Sequence, residues 1–276
     1  MLHYEVTPAR IFLSSLAERP TTEVKPGYSW HIGNVELYSP DTGYFALGRT
    51  TVKTFEKFNQ ETGNFVVESL ETSPYTHCVF DAGYGFVGIA KKPALANTTT
   101  AIARRVKELL AFTHEVTENH LIVEVDPIPD PSAFLREIRE AFRIARFTAS
   151  FHGPNPFDAD LQFQRPMSVY LAAAEGAKGK TQIDGANLSK ETLSAVTRST
   201  ASTGNDASAR LQRTSSSHLT TVRMRGRVVT TTYEEDAHNP QSVLNDLRER
   251  YREVRGDDRN PAIESGGSDP GLQLPS

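Results

Sequence analysis

The glycine spacing of a phosphate-cradling loop occurs once, at Gly83-Tyr84-Gly85-Phe86-Val87-Gly88. In a dinucleotide-binding loop a helix must begin at the glycines, because the pyrophosphate rests on free amides at the helix N-terminus. Here Val87-Gly88-Ile89-Ala90 continues as strand and Pro93 follows, so the glycines read as a hairpin turn through Asp81-Ala82-Gly83-Tyr84-Gly85. A glycine-rich hairpin over ATP phosphates would need a downstream lysine strand with separate base and magnesium motifs, and the sequence holds none.

Eight histidines are scattered, and no two stand four apart on a helix around the glutamate of a zinc hydrolase. His31, His77 and His120 sit beside or within strand-like runs. His152 closes a strand and precedes Gly153-Pro154-Asn155-Pro156, a placement in which loops carry function on a rigid scaffold. With Asn155, Asp158 and Asp160 it makes the best case for a hydrolase or nuclease, although aspartates beside Pro156 also serve turns. The lone Cys78, in His77-Cys78-Val79-Phe80, makes neither an internal disulfide nor a thiolate site and reads as a small core residue. No metal and no cofactor are expected from these residues.

Charge gives the clearest signal. The 276 residues carry a formal net charge of -4. Yet between Leu188 and Tyr233 stand Lys190, Arg198, Arg210, Arg213, Arg223, Arg225 and Arg227 against only Glu191 and Asp206. Strand alternation across Thr221–Val229 puts Arg223, Arg225 and Arg227 on one face, with Val222, Met224 and Val228 on the other. Arginines amid serine and threonine hydroxyls suit phosphate contacts; a solvated or charge-protected edge strand is the plainer reading.

The elements that hold these residues divide the chain. Residues 1 to 27 read as a strand-like start, then a loop or entry strand around Ala9–Leu13. Short alternating runs follow at 31–38, 44–48, 50–58, 64–70 and 76–80, with turns at Pro40–Gly43 and Glu61–Asn64; loops this short impose antiparallel pairing. Thr98–Thr100 cap a helix with Ile102, Val106, Leu109 and Leu110 inward. His120–Val125 reads as a strand, Asp130-Pro131 opens a helix that buries Phe134, Leu135, Ile138, Ala141 and Phe142, and Arg146–Phe151 returns as a strand, a unit that predicts a right-handed parallel crossover if both strands share a sheet, or else half of a ferredoxin-like sandwich. The stretch 176–180 reads as loop, and 167–175 fits strand or helix equally. Ser189 caps a helix to about Ser199, 199–217 shows no period and reads as loop or an imperfect continuation of that helix, strand resumes over 219–233 with an interruption at Gly226 for a bulge or turn, and Asn239-Pro240 opens a last helix.

The expectation is an α+β fold: an antiparallel β-rich sheet or open barrel over 1–95, a strand-helix-strand and helix/strand region over 96–254, and a disordered tail over 255–276. No leader is visible and no apolar run approaches the roughly 20 residues of a membrane span, so a cytoplasmic setting without membrane contact is expected. The expected function is a non-enzymatic binding module that engages nucleic acid or another polyanion through the arginine-rich strand. The competing readings are the hydrolase or nuclease around His152 and a subunit that assembles with a protein partner.

Overall fold

A computed structural model describes residues 7–152, 163–224, 226–232 and 239–256. The chain is α+β, built as two antiparallel sheets with helices between and around them. The first sheet takes β1 (Thr21–Lys25), β2 (Tyr28–Leu37), β3 (Thr42–Asn59), β4 (Asn64–Thr72), β5 (Tyr75–Asp81) and β6 (Phe86–Ile89) in the order β1-β2-β3-β5-β6, with β4 paired to the far half of β3. The Gly83–Gly88 spacing forms the β5–β6 hairpin, where Asp81 Oδ1 accepts the Tyr84 N–H at 2.9 Å.

Three helices close one face of this sheet: α1 (Pro8–Ala17), α2 (Thr99–Ala111) and α3 (His114–Glu118). Leu16 from α1 and Ile102, Val106, Leu109 and Leu110 from α2 pack on Trp30, Ile32, Phe45, Leu47, Cys78 and Phe80. Burial pushes the Cys78 thiol far up, as a core residue requires. The entry segment is therefore a helix and not a loop or strand: Thr7 caps it through its side chain and Pro8 takes the first helical position, where a missing N–H costs nothing. Glu18 then receives the first N–H groups of α3 from His114 and Glu115.

The second sheet holds β7 (Arg143–His152), β8 (Lys178–Asp184), β9 (Ala207–Gln212) and β10 (Thr220–Arg223), ordered β10-β9-β7-β8 and antiparallel throughout. On one face lie α4 (Ser132–Glu140), α5 (Gln164–Ala173) and α6 (Lys190–Ser202), meeting Ile144, Phe147, Ala149, Phe151, Ala209 and Leu211 in one core. The last helix, α7 (Pro240–Arg255), is capped by Asn239 and ends at Gly256 in the left-handed conformation. It is shared: Val243, Leu244 and Tyr251 cover Tyr44, Ala46, Val79 and Phe86 on the second face of the first sheet, while Val254 enters the core of the second.

Several sequence expectations change here. Residues 119–130 form no strand beyond an isolated bridge between Pro129 and Val228, and Ile122 is 84% exposed, so no parallel crossover exists. A β-branched run needs a neighbouring strand to pair with, and none is offered. Phe134, Leu135 and Ile138 are buried, but Phe142 lies past the end of α4 and is exposed. The stretch 167–175 is mostly helix α5, 178–184 is strand β8 and not loop, and 199–217 contains the end of α6 and all of β9. The strand expected over 219–233 stops at Arg223. At Gly226 the backbone crosses Asp130 so closely that a Cβ would sit 2.0 Å from its carbonyl oxygen, which pulls the chain off the sheet. The strand-like start at 1–6 and the tail from 257 onward lie outside the described residues.

Candidate functional site

With helices on one side, the strands of the second sheet turn alternate residues to the other, and pairing fixes what lies beside what. One row across the sheet reads Arg223, Ser208, Thr148, Gln182 from β10 to β8; the next reads Thr221, Arg210, Arg146, Asp184. Beyond the first row, Ser150 faces Lys180 and His152 faces Lys178. Rows lie two residues apart along strands spaced about 4.8 Å from one another. Lys178, Lys180, Gln182, Arg210, Thr221 and Arg223 are exposed.

Five cations, Arg146, Lys178, Lys180, Arg210 and Arg223, thus share one open face with a single strand carboxylate, Asp184. Arg143, opposite Gln212 at the bulged end of β7, and Asp206, just before β9, add one charge of each sign at the rim. The Arg143 Nε is enclosed without a hydrogen-bond partner. Arg146 and Arg210 stand directly opposite, a like-charge pairing that costs stability unless neutralised. Asp184 supplies the counter-charge: its Oδ1 accepts from Arg146 Nε at 2.5 Å and its Oδ2 from Gln182 at 2.8 Å. The Arg146 hydrogen bond first, then the Gln182 amide, with Arg210 adding to them, hold the Asp184 carboxyl below its ordinary range. Ser150 is committed to structure, accepting the Asp206 N–H at 2.8 Å.

The residues expected from sequence separate into two groups. Arg210 and Arg223 stand on the open face. Lys190, Arg198 and Arg213 do not: the Lys190 ammonium donates to the Arg139 carbonyl, the Arg198 guanidinium to the Glu253 carbonyl, and Arg213 forks onto Glu137 at 2.9 and 3.1 Å. The Glu137 hydrogen bonds lift the Arg213 guanidinium above its ordinary value. Arg227 lines a cavity of about 270 Å³ with Asp130, Arg250 and Glu253, and Arg225 lies outside the described residues. Arg146, Lys178 and Lys180 were missed, although Arg146-Phe147-Thr148-Ala149-Ser150 alternates plainly and Lys178-Gly179-Lys180-Thr181-Gln182 does the same behind its glycine.

A second polar hollow of about 260 Å³ is lined by Ser39, Asp41, Thr42, Asp81, Gly83, Tyr84, Arg248 and Arg252. Its arginines anchor α7. Arg248 Nε sits 2.8 Å from the buried Asp81 Oδ2, an ion pair by distance whose N–H is turned off the hydrogen-bond line. Arg252 Nε donates to the Tyr84 hydroxyl at 3.2 Å, and the guanidinium groups of Arg248, Arg252 and Arg255 all lie within 5.9 Å of the Tyr84 ring centroid. Of the hydrolase constellation, His152 is at the end of β7, while Asn155, Asp158 and Asp160 lie outside the described residues. Among the described residues no three of His, Cys, Asp and Glu gather as a metal site, and no helix is long and apolar enough to cross a membrane. Neither protein-family models nor curated proteins give a match to the chain.

Proposed function

We propose that the chain is a non-enzymatic module that binds nucleic acid or another polyanion on the open face of the second sheet. The observation that carries this reading is the gathering of Arg146, Lys178, Lys180, Arg210 and Arg223 on that face, where among the described strand residues Asp184 is the one carboxylate. Ser208, Thr221 and Gln182 between them supply hydroxyl and amide groups of the kind that fix phosphate oxygens. Among the described residues the strands place no Phe, Tyr or Trp on this face, and His152 at its edge is the one ring, so base stacking contributes little and sequence preference is weak. In this reading the protein works in the cytoplasm, where Cys78 stays a thiol.

The test is binding of a fluorescent single-stranded and a duplex oligonucleotide across a salt series. Log affinity falls with log salt by about 0.7 to 0.9 for each phosphate neutralised, so replacing Lys180, Arg210 and Arg223 together with Gln lowers affinity and flattens the slope by about two to three. Replacing Lys190, Arg198 and Arg213 with Gln leaves both unchanged, because those side chains are held on the helical side. A slope that responds to the second set and not the first removes this surface. No binding by the parent protein at low salt removes the reading.

A further inference from the structure

After Thr51, β3 leaves the body of the first sheet and runs on with β4 as a two-stranded arm closed by the turn at 60–63. Among the described strands neither β3 beyond Thr51 nor β4 has a second neighbour. The apolar side chains of the arm enter none of the cores. Phe65 and Val67 are 79% and 69% exposed, and Val52, Phe55, Phe58 and Leu70 are exposed with them. An isolated two-stranded ribbon is marginal in water, and unpaired edges flanked by apolar side chains mark a surface that another chain covers.

Register divides the arm into two unlike faces. Val52, Thr54, Glu56 and Phe58 lie opposite Glu71, Ser69, Val67 and Phe65, so this face is apolar with two carboxylates and no cation. The Phe58 and Phe65 rings meet on it edge to face at 5.2 Å. Lys53, Phe55 and Lys57 lie opposite Leu70, Glu68 and Val66, so the other face is apolar with two lysines and one glutamate, and Lys57 pairs with that glutamate at 3.4 Å. One face is acidic and the other has a surplus of positive charge.

We infer that the arm stacks on the arm of a second copy of this chain, the Glu56/Glu71 face of one against the Lys53/Lys57 face of the next. Charge complementarity selects this occupant, since one face carries Glu56 and Glu71 with no cation while the other keeps a surplus positive charge from Lys53 and Lys57 against Glu68, and a two-fold pairing of the acidic faces would set Glu56 and Glu71 against one another. Two strands about 4.8 Å apart and nine residues at about 3.3 Å give a ribbon near 30 Å long with about 300 Å² on each face. Each contact thus buries about 300 Å² per partner, below the roughly 800 Å² of a stable specific interface, so the association is weak and grows with concentration. Because the two faces differ, the contact is heterologous, and each addition leaves a fresh face that closes into a ring or extends a filament. The assembly is independent of polyanion binding on the second sheet.

Sedimentation velocity on the full chain, stripped of nucleic acid by high salt, tests this across a wide concentration range. The expected result is a mass that rises with concentration for the parent. The double variants Glu56→Lys/Glu71→Lys and Lys53→Glu/Lys57→Glu each stay at the mass of one chain, and their equimolar mixture regains the parent's association. Phe65→Ser weakens association without changing charge. All of these positions lie outside the cores, so each variant keeps the parent's thermal melt, which circular dichroism checks. A parent that remains a single chain at every concentration overturns the inference, as do charge-reversed variants that associate like the parent, or a mixture that fails to.

Discussion

The two sheets use antiparallel pairing alike and solve their exposure differently. In the first, α1 to α3 cover one face and α7 the other, so Tyr44, Phe45, Ala46 and Leu47 are buried in succession and the strand loses its alternation. In the second, helices cover one face only. Ile144, Phe147, Ala149 and Phe151 point to the core while Arg146, Thr148 and His152 point away. A continuous apolar strand thus marks a sheet with no face left for a ligand, and an alternating one marks a sheet with a face to offer. Within β3 both regimes occur on one strand: buried up to Leu47, and exposed from Val52 to Phe58.

The comparison breaks most severely at α7, which makes the first sheet two-sided. Arg248→Met leaves the Asp81 carboxylate, itself nearly inaccessible, without its cation, a loss of about 3 kcal/mol read from the urea midpoint. A midpoint within error of the parent would show that apolar packing alone seats the helix. The one-sided sheet is tested next. Ile138→Ala costs about 2 to 5 kcal/mol because the side chain is fully buried in the core of the second sheet, whereas Phe142→Ala, four residues on and exposed, changes stability by about 0.5 kcal/mol or less.

Tyr44 sharpens the comparison with a smaller, pH-dependent effect. Under α7 its hydroxyl meets His77 Nδ1 at 2.8 Å, and burial raises its pKa from 10.0 to about 12. The folded state holds this proton more tightly than the unfolded chain does. The contribution is therefore complete below pH 10 and lost as pH climbs from 10 to about 12. Ultraviolet titration of tyrosinate should show a step near pH 12, later than that of the other tyrosines, that Tyr44→Phe removes. If the late step survives in Tyr44→Phe, the second face of the first sheet is wetter than its packing implies.

Local signals were legible and distant pairing was not. Thr98, Ser189 and Asn239 each bond an N–H of their own helix, so caps and helix starts follow from neighbouring residues. Thr7-Pro8 carries the same signal, but Pro20, Pro26 and Gly27 punctuate the segment as loop or entry strand. Leu121-Ile122-Val123 has strand-like residues but no strand to pair with, and nothing nearby in sequence could reveal that. The candidate face needed such knowledge too: Arg210 lies beside Arg146, and Thr148 beside Gln182, only because β7 sits between β8 and β9. Counting charges from 188 to 233 therefore found Arg210 and Arg223 but grouped them with Lys190, Arg198 and Arg213, which the fold sends to the opposite side.

The position of α7 in the chain also sets an order of events during synthesis. Every strand of the first sheet has left the ribosome by Ile89, yet the helix that covers Tyr44, Ala46, Val79 and Phe86 begins at Pro240. At about 5 to 20 residues per second, that face waits on the order of ten seconds or more, uncovered and adhesive, for its lid to be translated. The second sheet is in the same position with respect to Val254. Completion of both halves is thus tied to the last helix, and a ribosome that stalls after Tyr233 releases a chain with two unfinished cores, a natural client for chaperones.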